Sequence, residues 1–317
     1  MKYQLSDIIM NAMEEQLEID EVMALQLSGL PVREIMNINL DKFEQLLESN
    51  PDLNNFLNNA NEILDRQEAL GIVSISCQDE RYPKRLVDIG PDAPALIYYL
   101  GNIALLKEEK AVAIIGARAA DKEGNTKAYQ LGKEYAEEGY VIVSGLALGC
   151  DTSAHIGCLD ARGKTITIVG NGLDRVHPKE NIGLQKRILD NDGLILSEQP
   201  LRVKANPTRL VARNRLQAAL SGAVILVQCP AQSGSLHTMR FARMYGKKCY
   251  AATFPKRTEA NAGNHDDALV GFEERENVLA DVVERNEVGK TPSAKRDKER
   301  RENDGFDDAK NAEDAAT

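Results

Sequence analysis

AVAIIGARAADKEGNTKAYQLGKEYAEEGYVIVSGLALGCDTSAH, residues 111–155, is the stretch that decides the fold. It opens on a run of apolar residues of strand length, AVAII at 111–115. A helical segment follows over 126–138, closed by Gly139, a residue suited to the left-handed conformation that ends helices. A second apolar run, YVIVS at 140–144, comes next. Strand, helix and strand in that order predict a βαβ unit, whose two strands lie parallel in one sheet.

The same pattern continues downstream. TITIV (165–169), LILS (194–197), AVILVQ (223–228) and KCYAAT (248–253) each read as a strand, and a helix over 236–245 is closed by Gly246. Six strands make a doubly wound, Rossmann-like, mostly parallel α/β sheet. Upstream, residues 1–68 read as a small acidic helical domain, with apolar residues at helical spacing in Val22, Leu25, Leu27 and Leu30 and again in Phe43, Leu46 and Leu47. SGLP at 28–31 punctuates these helices. The turn resembles a helix-hairpin-helix DNA module, but its surroundings are acidic, and a helical cap is the better reading. Residues 69–108 form a lead-in to the Rossmann-like domain of 109–284. The tail at 285–317 mixes both charges, has almost no large apolar side chains and is predicted to be disordered.

The 317 residues carry a net charge of −10, which by itself disfavours a polyanion ligand. The distribution reverses that reading. Residues 1–70 hold four basic against fourteen acidic side chains, whereas residues 111–254 hold nineteen Lys and Arg against twelve Asp and Glu. The sheet-forming segment is therefore the part that attracts an anion. No apolar run approaches the length of a membrane span and the N-terminus has no signal-peptide pattern, so a cytoplasmic protein without a membrane partner is expected. Cys77, Cys150, Cys158, Cys229 and Cys249 are scattered, and buried thiols rather than disulfides or a structural zinc are expected.

In an open parallel sheet, ligands bind beyond the carboxyl ends of the strands. After the first strand stands Gly116-Ala117-Arg118, whose small residues admit a ligand to the backbone and whose arginine offers a fork to phosphate. After the second, SGLALGCD (144–151) presents Gly145 and Gly149 before a helix, an arrangement suited to an anion. Asp151 is placed to cap that helix. With His155, four residues on, it could form an acid/base or metal pair, although a cap and a bracing histidine are the simpler roles. The third loop, 170–181, brings Arg175, His177 and Lys179, and Lys179 precedes a helix start. Arg209, Arg213 and Arg215 crowd before the fifth strand, where burial demands an anion or an acidic partner. Ser233-Gly234-Ser235 opens a helix as an amide-rich turn.

There is no GxGxxG dinucleotide fingerprint, no GxSxG elbow, no HExxH and no Walker motif. No catalytic residue, cofactor or metal is predicted.

Taken together, the motifs resemble the DNA processing protein A (DprA/Smf) family over roughly residues 71–271. The likeness starts at DERYP (79–83), Leu86 and LIYYLGN (96–102). It continues through GAR, SGLALGCDTSAH, GKTITIVGNGLD, HPKEN, LILSEQP, RNR and SGSLHT to ANAGNHDDALVG (260–271). The resemblance implies a homodimer that binds single-stranded DNA through its phosphates and supports DNA uptake or loading of a RecA-type recombinase. It places phosphate contacts at Arg118 and Lys179, and it sets Ser144, Gly145, Arg213, Asn214, Arg215, Ser233, Gly234 and Ser235 around the same pocket.

Three features depart from the family pattern. Gln228-Cys229-Pro230 replaces the acidic residue and alanine usual after the fifth strand, Lys256 follows Pro255 where glycine is expected, and the charged tail stands in place of a winged helix. They fit a divergent paralogue with another partner, in mobile-element or phage-defence biology. A nucleotide sensor or hydrolase of the related Rossmann-like group and a purely structural partner protein stay open as alternatives. Against the former, CPAQSGSLHT (229–238) lacks the PGGxGT-type phosphate motif.

Overall fold

The computed structural model describes residues 16–265 and the backbone of 273–275, so the tail expected at 285–317 lies outside the described residues. Among the described residues four helices come first: α1 (Ile19–Leu27), α2 (Val32–Ile35), α3 (Leu40–Ser49) and α4 (Leu53–Ala69). Their starts and stops are local chemistry. The Asn39 side chain accepts from Lys42 N at the head of α3, and SGLP turns after α1 with Gly29 at a φ of 86°.

The nine strands are β1 (Val73–Ser76), β2 (Leu96–Gly101), β3 (Ala111–Ile115), β4 (Val141–Ser144), β5 (Thr165–Val169), β6 (Leu194–Ser197), β7 (Ala223–Leu226), β8 (Lys248–Ala252) and β9 (Glu273–Arg275). They form one sheet in the order β1-β2-β6-β5-β4-β3-β7-β8-β9. All six strands read from the sequence are present, and every pairing from β6 through β9 is parallel. β2 runs antiparallel to β6, with Tyr98 opposite Ser197, and β1 runs antiparallel to β2. Part of the lead-in segment therefore extends the sheet itself.

Between the strands lie α5 (Lys84–Val87), α6 (Lys122–Glu137), α7 (Cys150–Asp160), α8 (Ile182–Asp190), α9 (Pro207–Ala212), α10 (Asn214–Ala219) and α11 (Ser235–Met244). Helix α6 starts four residues before the sequence reading placed it, because Asp121 Oδ1 accepts from Gly124 N at 2.8 Å and caps the earlier turn. Gly139 and Gly246 do adopt positive φ, 79° and 66°, where α6 and α11 end.

Successive strand residues face opposite sides. Leu194 and Leu196 belong to a cluster with Leu216, Leu236 and Met239 of α10 and α11, while Ile195 between them joins one with Val22, Leu25, Phe43 and Leu53. The N-terminal helices thus share a core with one face of the sheet. Emptying the space filled by Phe43, almost fully buried there, is expected to cost about 3–5 kcal/mol. No helix among the described residues is long and apolar enough to cross a membrane.

β3 sits between β4 and β7, so the chain leaves it toward one edge of the sheet and returns on its other side. That reversal opens a crevice beyond the carboxyl ends of β3 and β7.

Candidate functional site

The turn after β3 is held from three directions. Ala117 N donates to Gln228 O (2.7 Å), Cys150 N donates to Ala117 O (3.2 Å), and Ser235 Oγ donates to Gly116 O (2.8 Å). The loops after β3, β4 and β7 are thereby joined, and the Arg118 side chain is left exposed at their meeting point. Two cavities open here. The larger, of about 840 Å³, lies between this turn, helices α9 and α10, and the Pro230–Ser235 loop. The smaller, of about 450 Å³, lies between Arg118, Leu148 and the loop carrying His177, Pro178 and Lys179. Arg118, Ala147, Leu210 and Arg213 line both.

Arg213 occupies the bend between α9 and α10 and is only 4% exposed. Its Nη2 lies 3.9 Å from Asp151 Oδ2, an oxygen that also accepts from Gly145 N (3.2 Å) and Ala147 N (3.4 Å). With its amide oxygen turned inward, Gln217 accepts from Arg213 Nη1 and from Gly145 N. Arg213 Nε has no hydrogen-bond partner among the described residues. Burial pulls the Arg213 guanidinium below its ordinary value and pushes the Asp151 carboxyl above its own, and each partner opposes the shift of the other. A guanidinium nevertheless keeps its proton, so the crevice holds a buried cation.

The glycine-rich loop after β4 was expected to offer free amides to an anion. Two of those amides are already taken by Asp151, which sits inside the first turn of α7 with Gly149 at the N-cap position, so the expected capping role falls away. His155 does not pair with Asp151. It is fully buried, with Nδ1 2.7 Å from Thr165 Oγ1 and Nε2 3.1 Å from Thr167 Oγ1. Thr165 spends its hydroxyl proton on Ile142 O, so the imidazole donates through Nδ1 and accepts through Nε2. Burial, with Arg213 adding to it, lowers its pKa to about 3.

Of the residues singled out in the sequence, Arg118, Arg213, Asn214, Ser233, Gly234 and Ser235 line the larger cavity. Arg118, Gly145, Lys179 and Arg213 line the smaller. Ser144 and Arg215 line neither. The Ser144 hydroxyl is buried and donates to Ile114 O at 2.7 Å. Arg215 turns away to a two-pronged pair with Glu198 and donates through Nε to Asp92 O (2.7 Å). Two of the three crowded arginines thus find acidic partners inside the fold, Asp151 for Arg213 and Glu198 for Arg215, while Arg209 donates to Lys204 O.

The two glycines differ in why they are glycine. A Cβ at Gly145 would strike the Arg213 guanidinium, whereas one at Gly234 would meet nothing within 4 Å, and Gly234 has an ordinary φ of −59°. A side chain at the first would have to displace the Arg213 guanidinium, whereas nothing among the described residues stands where a side chain at the second would go.

Sequence reasoning missed Gln217, Leu148 and Leu210. Gln217 was accessible, since it follows Arg213 by four residues and shares its helix face. The departure at Gln228 also has a local account: it accepts from Asp121 N and donates to Asp121 Oδ2, both at 3.0 Å. An acidic residue there has no proton to give that carboxylate. Asn264, in the last motif, donates to Val227 O and Ala252 O and accepts from Cys229 N, tying the ends of β7 and β8. Burial pushes the thiols of Cys150 and Cys158 up to about 12 and those of Cys77 and Cys249 to about 11. Among the described residues no group of three or more His, Cys, Asp or Glu side chains could hold a metal.

Sheet order and crevice define a doubly wound, Rossmann-like protein with its cationic cleft at the switch point. A family model, DNA recombination-mediator protein A, matches residues 73–273. The chain belongs to that family. It is 43% identical over 183 residues to DNA processing protein DprA of Streptococcus pneumoniae, covering 56% of this chain and 62% of that protein. With protein Smf of Synechocystis it shares 32% identity over 211 residues, 66% of this chain and 51% of the relative. The chain therefore spans about half to three-fifths of the length of these curated relatives. The X-ray structure of DprA from Streptococcus pneumoniae superimposes with a TM-score of 0.62 at 31% identity, over 87% of this chain and 95% of that one. DNA processing protein A from Helicobacter pylori gives 0.61 at 30%, over 68% and 96%.

Proposed function

We propose that this chain binds single-stranded DNA, holding the backbone in the two-lobed crevice by phosphate contacts to Arg118 and Lys179. The observation that carries the reading is the placement of these two exposed cations on one small cavity, with the buried Arg213 also lining it. Family membership supports it, as does the relative from Helicobacter pylori, which has a single-stranded DNA binding mode. Asn214, Ser233, Gly234 and Ser235 supply polar and backbone groups beside the strand, while Ser144 and Arg215 act as structural supports. In this reading the chain is a binding protein of the cytoplasm rather than an enzyme, works as a homodimer, and assists loading of a RecA-type recombinase or DNA uptake. The last roles rest on kinship alone.

A small-nucleotide sensor or hydrolase is the competing reading, and the size of the larger cavity favours it. Fluorescence anisotropy with labelled oligothymidylates, run beside a panel of mononucleotides, separates the two. Affinity that climbs with strand length supports DNA binding. Tight mononucleotide binding with no gain from a longer strand overturns it.

A further inference from the structure

A phosphate needs far less room than this crevice provides. Water occupies about 30 Å³ in the liquid and a phosphate only a few times that, whereas the two lobes, both open to solvent, offer about 840 and 450 Å³. Both are also partly apolar. Pro207, Val211 and Pro230 wall the larger, Leu148 and Pro178 the smaller, and Leu210 stands between them. Leu148 is 39% exposed beside Arg118 and Lys179, where a purely electrostatic surface has no use for it. The lobes meet at two cations, Arg118 and Arg213, and Arg213 Nε, buried with its side chain, lacks a hydrogen-bond partner among the described residues.

We propose that the lobes receive two successive bases of one strand, one in each, with the phosphodiester that joins them held between Arg118 and Arg213. This inference rests on the crevice being a nucleic-acid site and names the unit it recognises: a dinucleotide step with both bases buried. Aliphatic walls accept the face of any base, so such a step is read without a strong sequence preference. Arg213 is buried but borders both lobes, so it acts through its charge, and the bridging phosphate is shared between a partly hydrated Arg118 and a dehydrated Arg213. A free dinucleotide carries the same chemistry as a step within a strand, and the experiment distinguishes these sources.

The test uses the full chain and four labelled dodecamers in fluorescence anisotropy. One is oligothymidylate and one is a wholly abasic backbone of equal charge. The other two keep a pair of thymines in that backbone, adjacent in one and at opposite ends in the other. The abasic strand is expected to bind about tenfold more weakly than oligothymidylate, a difference of about 1.4 kcal/mol. The adjacent pair should recover most of that loss and the separated pair little of it. Leu148→Ser, a charge-neutral change at an exposed position, should erase the benefit of the adjacent pair while leaving the abasic strand weakened only slightly. Equal binding of abasic and thymine strands, or equal recovery by both pairs, overturns the dinucleotide unit and leaves phosphate binding standing. Failure of every strand to bind overturns both readings. Free dTpdT should compete more weakly than the adjacent-pair dodecamer; competition as strong as that of oligothymidylate would overturn the strand as the source.

Discussion

Arg213 lies so close over Gly145 that a Cβ added to the glycine would overlap its guanidinium. Gly145→Ala therefore cannot be accommodated without moving the guanidinium off Asp151 and Gln217. Overpacking of this kind costs about 1–3 kcal/mol, with more to come if Asp151 is left without its cation. The expected outcome is a lower midpoint in urea unfolding together with weakened oligonucleotide binding. An unchanged midpoint would show that Arg213 relocates freely.

Gly234 gives the opposite expectation. Its Cβ position is open and its φ is ordinary, so Gly234→Ala should leave stability within about 0.5 kcal/mol of the parent. Single-strand affinity should nevertheless fall, because a methyl group then projects into the larger lobe beside Ser233 and Ser235. Anisotropy and thermal unfolding on the same sample separate the two effects. Parental affinity in the variant would remove this turn from the binding surface.

Arg118→Ala and Lys179→Ala should each weaken single-strand binding to a similar degree across base compositions. Each should also flatten the plot of log affinity against log salt by about 0.7, the value for one phosphate neutralised on a single strand. Arg118→Ala is expected to cost more, since its planar fork holds two oxygens and it borders both lobes. A folded Arg118→Ala protein with parental salt slope would refute the contact.

Stability should fall in mild acid through His155. Its pKa is about 3 in the folded chain, against an ordinary value of about 6.5, so between these values the unfolded chain binds the extra proton. Lowering the pH through this window therefore favours unfolding, and the contribution of His155 is fully present only above about pH 6.5. By pH 5 the loss amounts to about 2 kcal/mol. His155→Asn should remove most of this slope between pH 6.5 and 5, measured as unfolding free energy in urea at each pH. A parental slope in the variant would assign the effect to other groups.

What could be read in the sequence was what depends on near neighbours. AVAII, TITIV and LILS became strands at the residues expected, because a buried parallel strand shows itself as a short run dominated by apolar and β-branched residues. β2 was harder: Leu96–Gly101 was seen only as a family segment, and its antiparallel place beside β6 depends on residues nearly a hundred positions later. The site divided in the same way. Glycine turns and cations pointed to the crevice, but Ser144 and Arg215 carry motif residue types whose partners, Ile114 O and Glu198, are set by tertiary packing. Asp151 looked like a helix cap because an aspartate at a helix start commonly is one, and only the tertiary structure pairs it with Arg213 and with the amides of Gly145 and Ala147.

The three hydrogen bonds that pin the Gly116-Ala117-Arg118 turn to Gln228, Cys150 and Ser235 leave the backbone beneath Arg118 little to gain in order when a ligand arrives. On the proposed reading the crevice is a mould of fixed shape, and the ordering entropy falls on the nucleic acid. A single strand can bend into such a mould at modest cost. A duplex, with a persistence length of about 50 nm, resists the same curvature, so discrimination between the two would come from the stiffness of the ligand rather than from any group that recognises one and rejects the other.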